Sequence, residues 1–116
     1  MSFEEMSDEE ILNIANPIMD NLMDASTEID HERHTRDFSD RMLNIVTEEY
    51  LTKVCEKYQA EKGFFAERKF VAIFKRPDAV AIIWKQYFTK VKGEFVAEVL
   101  LIKEGTRYVV DHTMVF

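Results

Sequence analysis

The sequence predicts a single α+β domain in which three N-terminal helices pack on a four-stranded antiparallel sheet. Apolar residues recur at three- and four-residue spacing as far as Gly63, and beyond it they alternate with polar residues. The second half is divided by three short turn segments, Arg76-Pro77-Asp78-Ala79, Lys92-Gly93 and Gly105-Thr106. Because 116 residues suit one domain, we place the helices at about 8–62 and an antiparallel meander at about 65–116.

The first helix is predicted to begin at a capping box. Ser7-Asp8-Glu9-Glu10 has the required S-x-x-E form. An apolar face then follows at helical spacing, formed by Ile11, Ile14, Ala15, Ile18, Leu22, Ala25 and Ile29. Pro17 interrupts this pattern and leaves two alternatives: Asn16 caps a second helical segment, or the helix kinks at the proline.

Two further helices are predicted before the sheet. The second runs from near Asp30 to about Asn44, because a single face carries His34, Phe38, Met42 and Ile45. Thr47 is the expected N-cap of the third helix, and Gly63 is its expected end. The inner face of this third helix is predicted to consist of Leu51, Val54, Cys55 and Tyr58.

The alternating pattern predicts four strands, at about Phe65–Arg76, Ala79–Lys90, Glu94–Lys103 and Arg107–Phe116. Tight turns would pair Trp84 with Val71 and Leu101, and Val99 with Gln86 and His112. Cross-strand partners share a face, so one face is predicted to lie under the helices. Its members are Val71, Ile73, Ile82, Trp84, Gln86, Phe88, Phe95, Ala97, Val99, Leu101, Val110, His112, Met114 and Phe116.

The opposite face of the predicted sheet mixes charged and bulky apolar residues. It is too apolar for a solvent face and too charged for a core, which is the composition of a surface covered by a partner. We therefore expect a homodimer through this face. The expected interface residues are Ile83, Lys85, Tyr87, Glu98, Leu100, Asp111 and Thr113.

Composition excludes several classes of function. A net charge of −7, with the basic residues scattered, argues against nucleic-acid binding. The single cysteine, Cys55, excludes a disulfide framework and a multi-cysteine zinc site, and we expect no cofactor or metal. The acidic start lacks the features of a signal peptide, and no apolar run approaches the ~18 residues of a membrane span. We therefore expect a cytoplasmic location.

Several segments resemble those of a known superfamily. The chain ends in Tyr108-Val109-Val110-Asp111-His112-Thr113-Met114-Val115-Phe116, and it contains His34–Met42, Thr47–Tyr50 and Lys62-Gly63-Phe64. With the order of elements, these resemble the nuclear transport factor two-like superfamily, whose members are described as SnoaL-like, ketosteroid-isomerase-like or cystatin-like. The similarity is to small uncharacterised bacterial branches. The usual strand between the second and third helices is missing from the pattern.

The resemblance implies a cone in which helices and a curved, concave sheet enclose a pocket, while convex sheet faces pair into homodimers. It does not fix the activity, because relatives include isomerases, dehydratases, cyclases and proteins without known chemistry. The isomerase arrangement of a tyrosine and a protonated acid opposite a catalytic aspartate has no matching positions here. We therefore transfer no catalytic residue.

His112 is the leading chemical candidate in the predicted pocket. In an apolar cavity it is suited to general acid–base work, and the alternative is a core histidine hydrogen-bonded to Gln86 or a backbone carbonyl. The predicted pocket residues are His34, Phe38, Trp84, Gln86, Phe88, Val99, His112 and Met114.

Three functions follow from these predictions. The first is a pocket for a small, mostly apolar ligand without a catalytic motif. The second is an enzyme of the isomerase or lyase class that uses His112 as its acid or base. The third is a protein-interaction module whose cavity is filled by its own side chains.

Overall fold

A computed structural model describes residues 2–116. A short 3-10 turn at Phe3–Glu5 precedes four helices and four strands. The helices are α1 (Asp8–Glu28), α2 (His31–His34), α3 (Asp40–Ile45) and α4 (Glu48–Lys62). The strands are β1 (Phe65–Lys75), β2 (Ala79–Phe88), β3 (Phe95–Glu104) and β4 (Arg107–Val115). They form one antiparallel sheet in the order β1-β2-β3-β4, so the predicted α+β architecture is confirmed.

The first helix is one continuous element across Pro17. The predicted capping box is present: the Glu10 backbone N–H donates to Ser7 Oγ at 3.1 Å, and the Ser7 N–H donates to the Glu10 carboxylate at 3.0 Å. Pro17 removes one backbone hydrogen bond, yet Asn16 does not start a new helix. Buried residues lie on both sides of the proline, Ile11 and Ala15 before it and Ile18, Met19 and Leu22 after it, and this packing keeps the helix in register.

The predicted second helix is wrong, because two short helices, α2 and α3, replace it. Between them Phe38 forms a parallel bridge with Val110 of β4. The Val110 N–H donates to Asp37 O at 2.7 Å, and the Ser39 N–H donates to Val110 O at 2.9 Å. These backbone groups pair with the sheet instead of with a helix. Ile45, predicted to face inward, is 49% exposed as a result.

Helix α4 agrees with the prediction at both ends. The Tyr50 N–H donates to Thr47 Oγ1 at 3.1 Å, and the helix ends at Gly63, whose φ is +83°. Leu51 and Cys55 are buried, whereas Val54 is exposed and does not belong to the inner face.

Each hairpin departs from the predicted register in its own way. In the β2–β3 hairpin Trp84 lies opposite Ala97 rather than Leu101, and Gln86 lies opposite Phe95 rather than Val99. The shift is by an even number of residues, so every side chain keeps its predicted face. The reason is a longer connection, since β2 ends at Phe88 and β3 begins at Phe95.

Bulges in β1 and β4 reverse the faces of several residues. The β3–β4 register is as predicted from the turn to Leu101↔Val110, and then Asp111 is inserted, so that Leu100 lies opposite His112. His112, Met114 and Phe116 therefore leave the helix-covered face to which they were assigned. In β1 a similar irregularity places Phe70, not Val71, opposite Trp84.

The core lies between α1 and the inner face of the sheet. The inner face consists of the buried sheet residues Val80, Ile82, Trp84, Gln86, Phe88, Ala97, Val99, Leu101 and Val110. Most of them join one hydrophobic cluster with Met19 and Leu22 of α1, Phe38, and Met42 of α3. Among residues 2–116, none of the helices combines the length and the apolar character needed to cross a membrane.

Gly63 provides a test of the α4–β1 junction. Its positive φ is nearly restricted to glycine, and a Cβ at this position would lie 2.4 Å from Thr89 Oγ1 and 2.9 Å from Lys90 Cβ. We expect Gly63→Ala to lower the free energy of unfolding by about 2 kcal/mol or more, measured by urea denaturation.

Gly105→Ala is the matched control. Gly105 also has a positive φ, +62°, but nothing lies within 4 Å of a Cβ there. Gly105→Ala should lower the free energy of unfolding by only about 1 kcal/mol, the cost of backbone strain. Equal losses at the two positions would contradict a steric role for Thr89.

Candidate functional site

The predicted pocket residues of the inner face are packed in the core. Trp84, Phe88 and Val99 are buried, and so is Phe38. Trp84, Val99 and Phe38 belong to the same hydrophobic cluster as the helices that cover them. The protein's own side chains therefore occupy the space in which these residues were expected to line a cavity.

Gln86 is the one polar residue among the buried residues of this face. Its Nε2 donates to the carbonyls of Ala66, Glu67 and Tyr87 at 3.2, 3.4 and 3.0 Å. These contacts cross an irregular stretch of β1 between Phe65 and Arg68. Gln86 Oε1 is buried and has no hydrogen-bond partner. The amide thus stabilises the backbone of β1 and leaves one acceptor unpaired in the interior.

His34 lies at the end of α2, partly buried beside the core. Its ring contacts Phe38 edge-on, with the centroids 5.3 Å apart, and its Nδ1 has no hydrogen-bond partner. Burial, with a smaller contribution from the charge of His31, lowers the pKa of His34 to about 4. The imidazole is therefore neutral at physiological pH.

The structure places His112 outside the predicted pocket. Its Nε2 lies 2.5 Å from Glu98 Oε2, and both side chains belong to the sheet face that points away from the helices. Gln86 lies on the inner face of the same sheet, opposite Phe95 rather than beside His112. The β4 bulge turns His112 outward, so it does not lie where the predicted acid or base of the pocket, or the alternative core histidine bonded to Gln86, would be.

Three other predicted site residues change place for the same reason. Met114, expected in the pocket, lies opposite Glu98 and is 51% exposed. Asp111, expected at a dimer interface, is the inserted residue, and its Oδ1 accepts from Ser39 Oγ at 2.8 Å and from Arg41 Nε at 3.2 Å. Thr113 now lies opposite the buried Val99, with its hydroxyl donating to Glu98 O at 3.0 Å.

The sheet face that points away from the helices forms a second surface, which we call the outer face. The cross-strand pairs align Phe74, Ala81, Leu100 and His112 in one row, and Ala72, Ile83, Glu98 and Met114 in the next. Its remaining members are Lys69, Lys85, Tyr87, Val96 and Ile102. Phe74 is 58% exposed, so bulky apolar surface is in contact with solvent. No alternation pattern could reveal that His112 and Met114 belong here, because the bulge carries no local signal.

The charges of the outer face are paired within it. Lys85 Nζ lies 2.7 Å from Glu94 Oε2, which also accepts from the Tyr87 hydroxyl at 3.2 Å. Hydrogen bonding and charge attraction from Lys85 lower the pKa of the Glu94 carboxyl. Together with the Glu98–His112 contact, these pairs leave apolar side chains as the dominant unpartnered surface.

Two open clefts lie on the helical side, away from the predicted pocket. One has a volume of about 670 Å³ and is lined by residues 28–33 and Glu48. The other, about 570 Å³, lies along α4 between Glu48 and Glu56. Within residues 2–116 no group of three or more histidine, cysteine, aspartate or glutamate side chains is arranged to hold a metal ion.

Cys55 belongs to a buried network between α1 and α4. Its Sγ lies 3.3 Å from Ser26 Oγ, which is also 2.8 Å from the Tyr58 hydroxyl. Burial raises the pKa of the Cys55 thiol, so the reactive thiolate is disfavoured. The geometry is that of a packing residue.

The buried His34 should make stability depend on pH. Between its ordinary pKa of 6.5 and its folded-state pKa of about 4, the unfolded chain binds a proton that the folded chain does not. The free energy of unfolding should therefore fall as the pH is lowered through this range, by up to about 3 kcal/mol. Urea denaturation at several pH values measures this slope.

His34→Leu is the comparison variant, since it keeps an apolar side chain against Phe38. Carboxylates titrate equally in both proteins, so the difference between the two curves isolates His34. The variant should lose less stability on acidification than the wild type. Parallel curves from pH 6.5 downward would show that His34 is not buried as described.

Comparison with known proteins finds similarity in structure alone. No family model matches the chain, and no curated protein matches it. Among solved structures, an NTF2-like protein of unknown function from Methylobacillus flagellatus superposes with a TM-score of 0.62 and 10% identity, covering 99% of this chain and 97% of the other. One from Shewanella baltica has a TM-score of 0.59 and 10% identity, covering 97% of each chain.

A third similar structure carries a more specific name. It comes from Thiobacillus denitrificans and is described as a candidate calcium/calmodulin-dependent protein kinase type II association domain. The TM-score is 0.62 at 11% identity, over 86% of this chain and 91% of the other. Identities near 10% over nearly whole chains show a shared fold and nothing finer, and the chain therefore has the NTF2-like fold.

Proposed function

We propose that this NTF2-like protein is an association domain that forms a homodimer through its outer face. One observation carries the proposal: the inner face is filled by core side chains, whereas the outer face leaves large apolar side chains in solvent. Of the three predicted functions, this favours the interaction module with a self-filled cavity.

The outer face is large enough for a small dimer interface. Four strands about 4.8 Å apart, followed over about eight residues, give a projected area of about 500 Å² per protomer. Two such faces bury about 1,000 Å² together, which is about the threshold for a biological interface. The half-buried Ile83 and Leu100 lie on the central strands, and the exposed Phe74 and Met114 flank them on the edge strands, which gives the apolar surface that such interfaces need.

Charge favours a second copy as the occupant. The chain carries a net charge of −7, which opposes self-association in general. On the outer face, however, Lys85 pairs with Glu94 and His112 with Glu98. Two copies can therefore meet there without strong repulsion. A similar fold in the Thiobacillus protein, named an association domain, is compatible with this use.

A ligand-binding interior is the second candidate, and one observation favours it. Gln86 Oε1 is a buried acceptor without a partner, which suits a donor from a small molecule. A ligand would have to displace packed side chains such as Trp84 to reach it. The apolar pocket predicted from the sequence would then be an opened state of the core.

Ile83→Arg tests the homodimer. Ile83 lies in the middle of the outer face, opposite Glu98 on β3. In a dimer the bulky guanidinium would displace the apolar packing at the centre of the interface and would lose its water beside Glu98, a carboxylate that already contacts His112, so we expect Kd to rise by at least about a hundredfold. Sedimentation equilibrium measures Kd, and circular dichroism checks that the monomer stays folded.

Ile45→Arg is the matched control, because it makes the same change at an isoleucine of α3 that is 49% exposed and lies outside the outer face. It should leave the dimer intact. A wild type that sediments as a monomer at tens of micromolar at every pH between about 6 and about 8 overturns the proposal, and so does a dimer that tolerates Ile83→Arg.

A thermal-shift screen separates the two candidate functions. Under the association proposal, a broad set of metabolites leaves the Tm of the wild type unchanged. A compound that raises the Tm of the wild type but not that of Gln86→Leu would instead support a ligand in the interior. Gln86→Leu keeps a similar volume and removes the unpaired acceptor.

A further inference from the structure

The Glu98–His112 pair is the only contact between opposite charges in the central rows of the outer face, within the described residues. The two groups come from adjacent strands, with His112 Nε2 at 2.5 Å from Glu98 Oε2. The His112 side chain is 40% exposed and the Glu98 side chain 26%. Their neighbours on the outer face are Ile83, Leu100 and Met114. A second copy seated on this face would remove most of the remaining solvent from the pair.

The β4 bulge is what brings the pair together. Without the inserted Asp111, His112 would point into the core and Glu98 would stand alone among apolar side chains. Asp111 itself turns towards Ser39 and Arg41 and leaves the outer face. The backbone irregularity thus supplies Glu98 with an imidazole partner, a side chain that can carry or release a proton.

The other charged groups of the outer face already have partners. Lys85 on β2 is held by Glu94 at 2.7 Å, and Tyr87 donates to the same carboxylate. Lys69 on β1 lies 4.0 Å from Glu67. His112 is therefore the nearest side chain that can compensate the negative charge of the Glu98 carboxylate when water is excluded.

We propose that the homodimer is controlled by a proton: it forms when His112 is protonated and weakens when His112 becomes neutral. This inference rests on the homodimer proposed above. With His112 charged, each protomer buries a neutral ion pair. With His112 neutral, each protomer buries the uncompensated Glu98 carboxylate, and the two-fold symmetry of a dimer doubles the cost.

The sign of the effect follows from proton linkage. Burial alone would disfavour a charged imidazole, but a Glu98 carboxylate that has lost its water favours one beside it, so the proposed dimer binds up to two more protons than the separate protomers. Association is then strongest below the ordinary histidine range and is lost as the pH rises through it. We expect Kd to increase at least about tenfold between about pH 6 and about pH 8.

Sedimentation equilibrium of the full chain across this pH range is the test, with Glu98→Gln and His112→Gln as variants. Glu98→Gln removes the buried charge, so a neutral His112 becomes the compatible form and the slope of Kd with pH should reverse. His112→Gln should bind weakly at every pH. A merely structural role for either residue would weaken the dimer without reversing its pH dependence.

The outcomes separate the two proposals. A wild type that is monomeric at every pH overturns the homodimer itself. A dimer whose Kd is the same at about pH 6 and about pH 8 leaves the homodimer standing and overturns proton control. A Glu98→Gln variant with the slope of the wild type also overturns it, because another group would then carry the titration.

Discussion

Burial of the inner sheet face beneath α1 is the constraint on which the rest of the structure depends. Each buried Val, Leu, Ile or Phe side chain contributes roughly 1.5–3 kcal/mol, and the inner face and α1 meet in one cluster. A helix of 21 residues is about 32 Å long, enough to cover the sheet along its length. Because side chains alternate along a strand, committing one face to α1 commits the other to the outside. The apolar outer face is the counterpart of the filled interior.

Much of this arrangement could be predicted from local pattern. The capping box at Ser7, the N-cap at Thr47 and the stop at Gly63 depend on neighbouring residues only, and all three are present. The turns of the β1–β2 and β3–β4 hairpins set the register close to themselves, as Lys75↔Val80 and Leu101↔Val110 show. The sequence-based prediction fails where a contact with a distant part of the chain outweighs the local periodicity of apolar residues. Residues 37–39 pair with β4 rather than continue a helix, and the bulge at Asp111 is stabilised by Ser39 and Arg41.

These errors affect the predicted position of the candidate site more than they affect the predicted fold. An inserted residue leaves the number and order of strands unchanged, yet it transfers every later side chain to the other face. His112 thus lies against the Glu98 carboxylate on the outer face and not in the predicted cavity. The solved structures of similar fold share only about one residue in ten with this chain. Similarity at that level preserves the architecture while the faces acquire different uses.

The bridge between Phe38 and Val110 has a consequence for colloidal behaviour. Sheet edges expose unpaired backbone groups that template aggregation. At β4 the segment 37–39 forms hydrogen bonds with both the N–H and the carbonyl of Val110. These groups in the middle of the edge are therefore unavailable to a strand of another molecule. The opposite edge, β1, is broken by its own irregularities and carries the charges of Glu67, Arg68 and Lys69. Both edges thus carry features that oppose edge-to-edge pairing with another sheet, although the outer face between them is apolar.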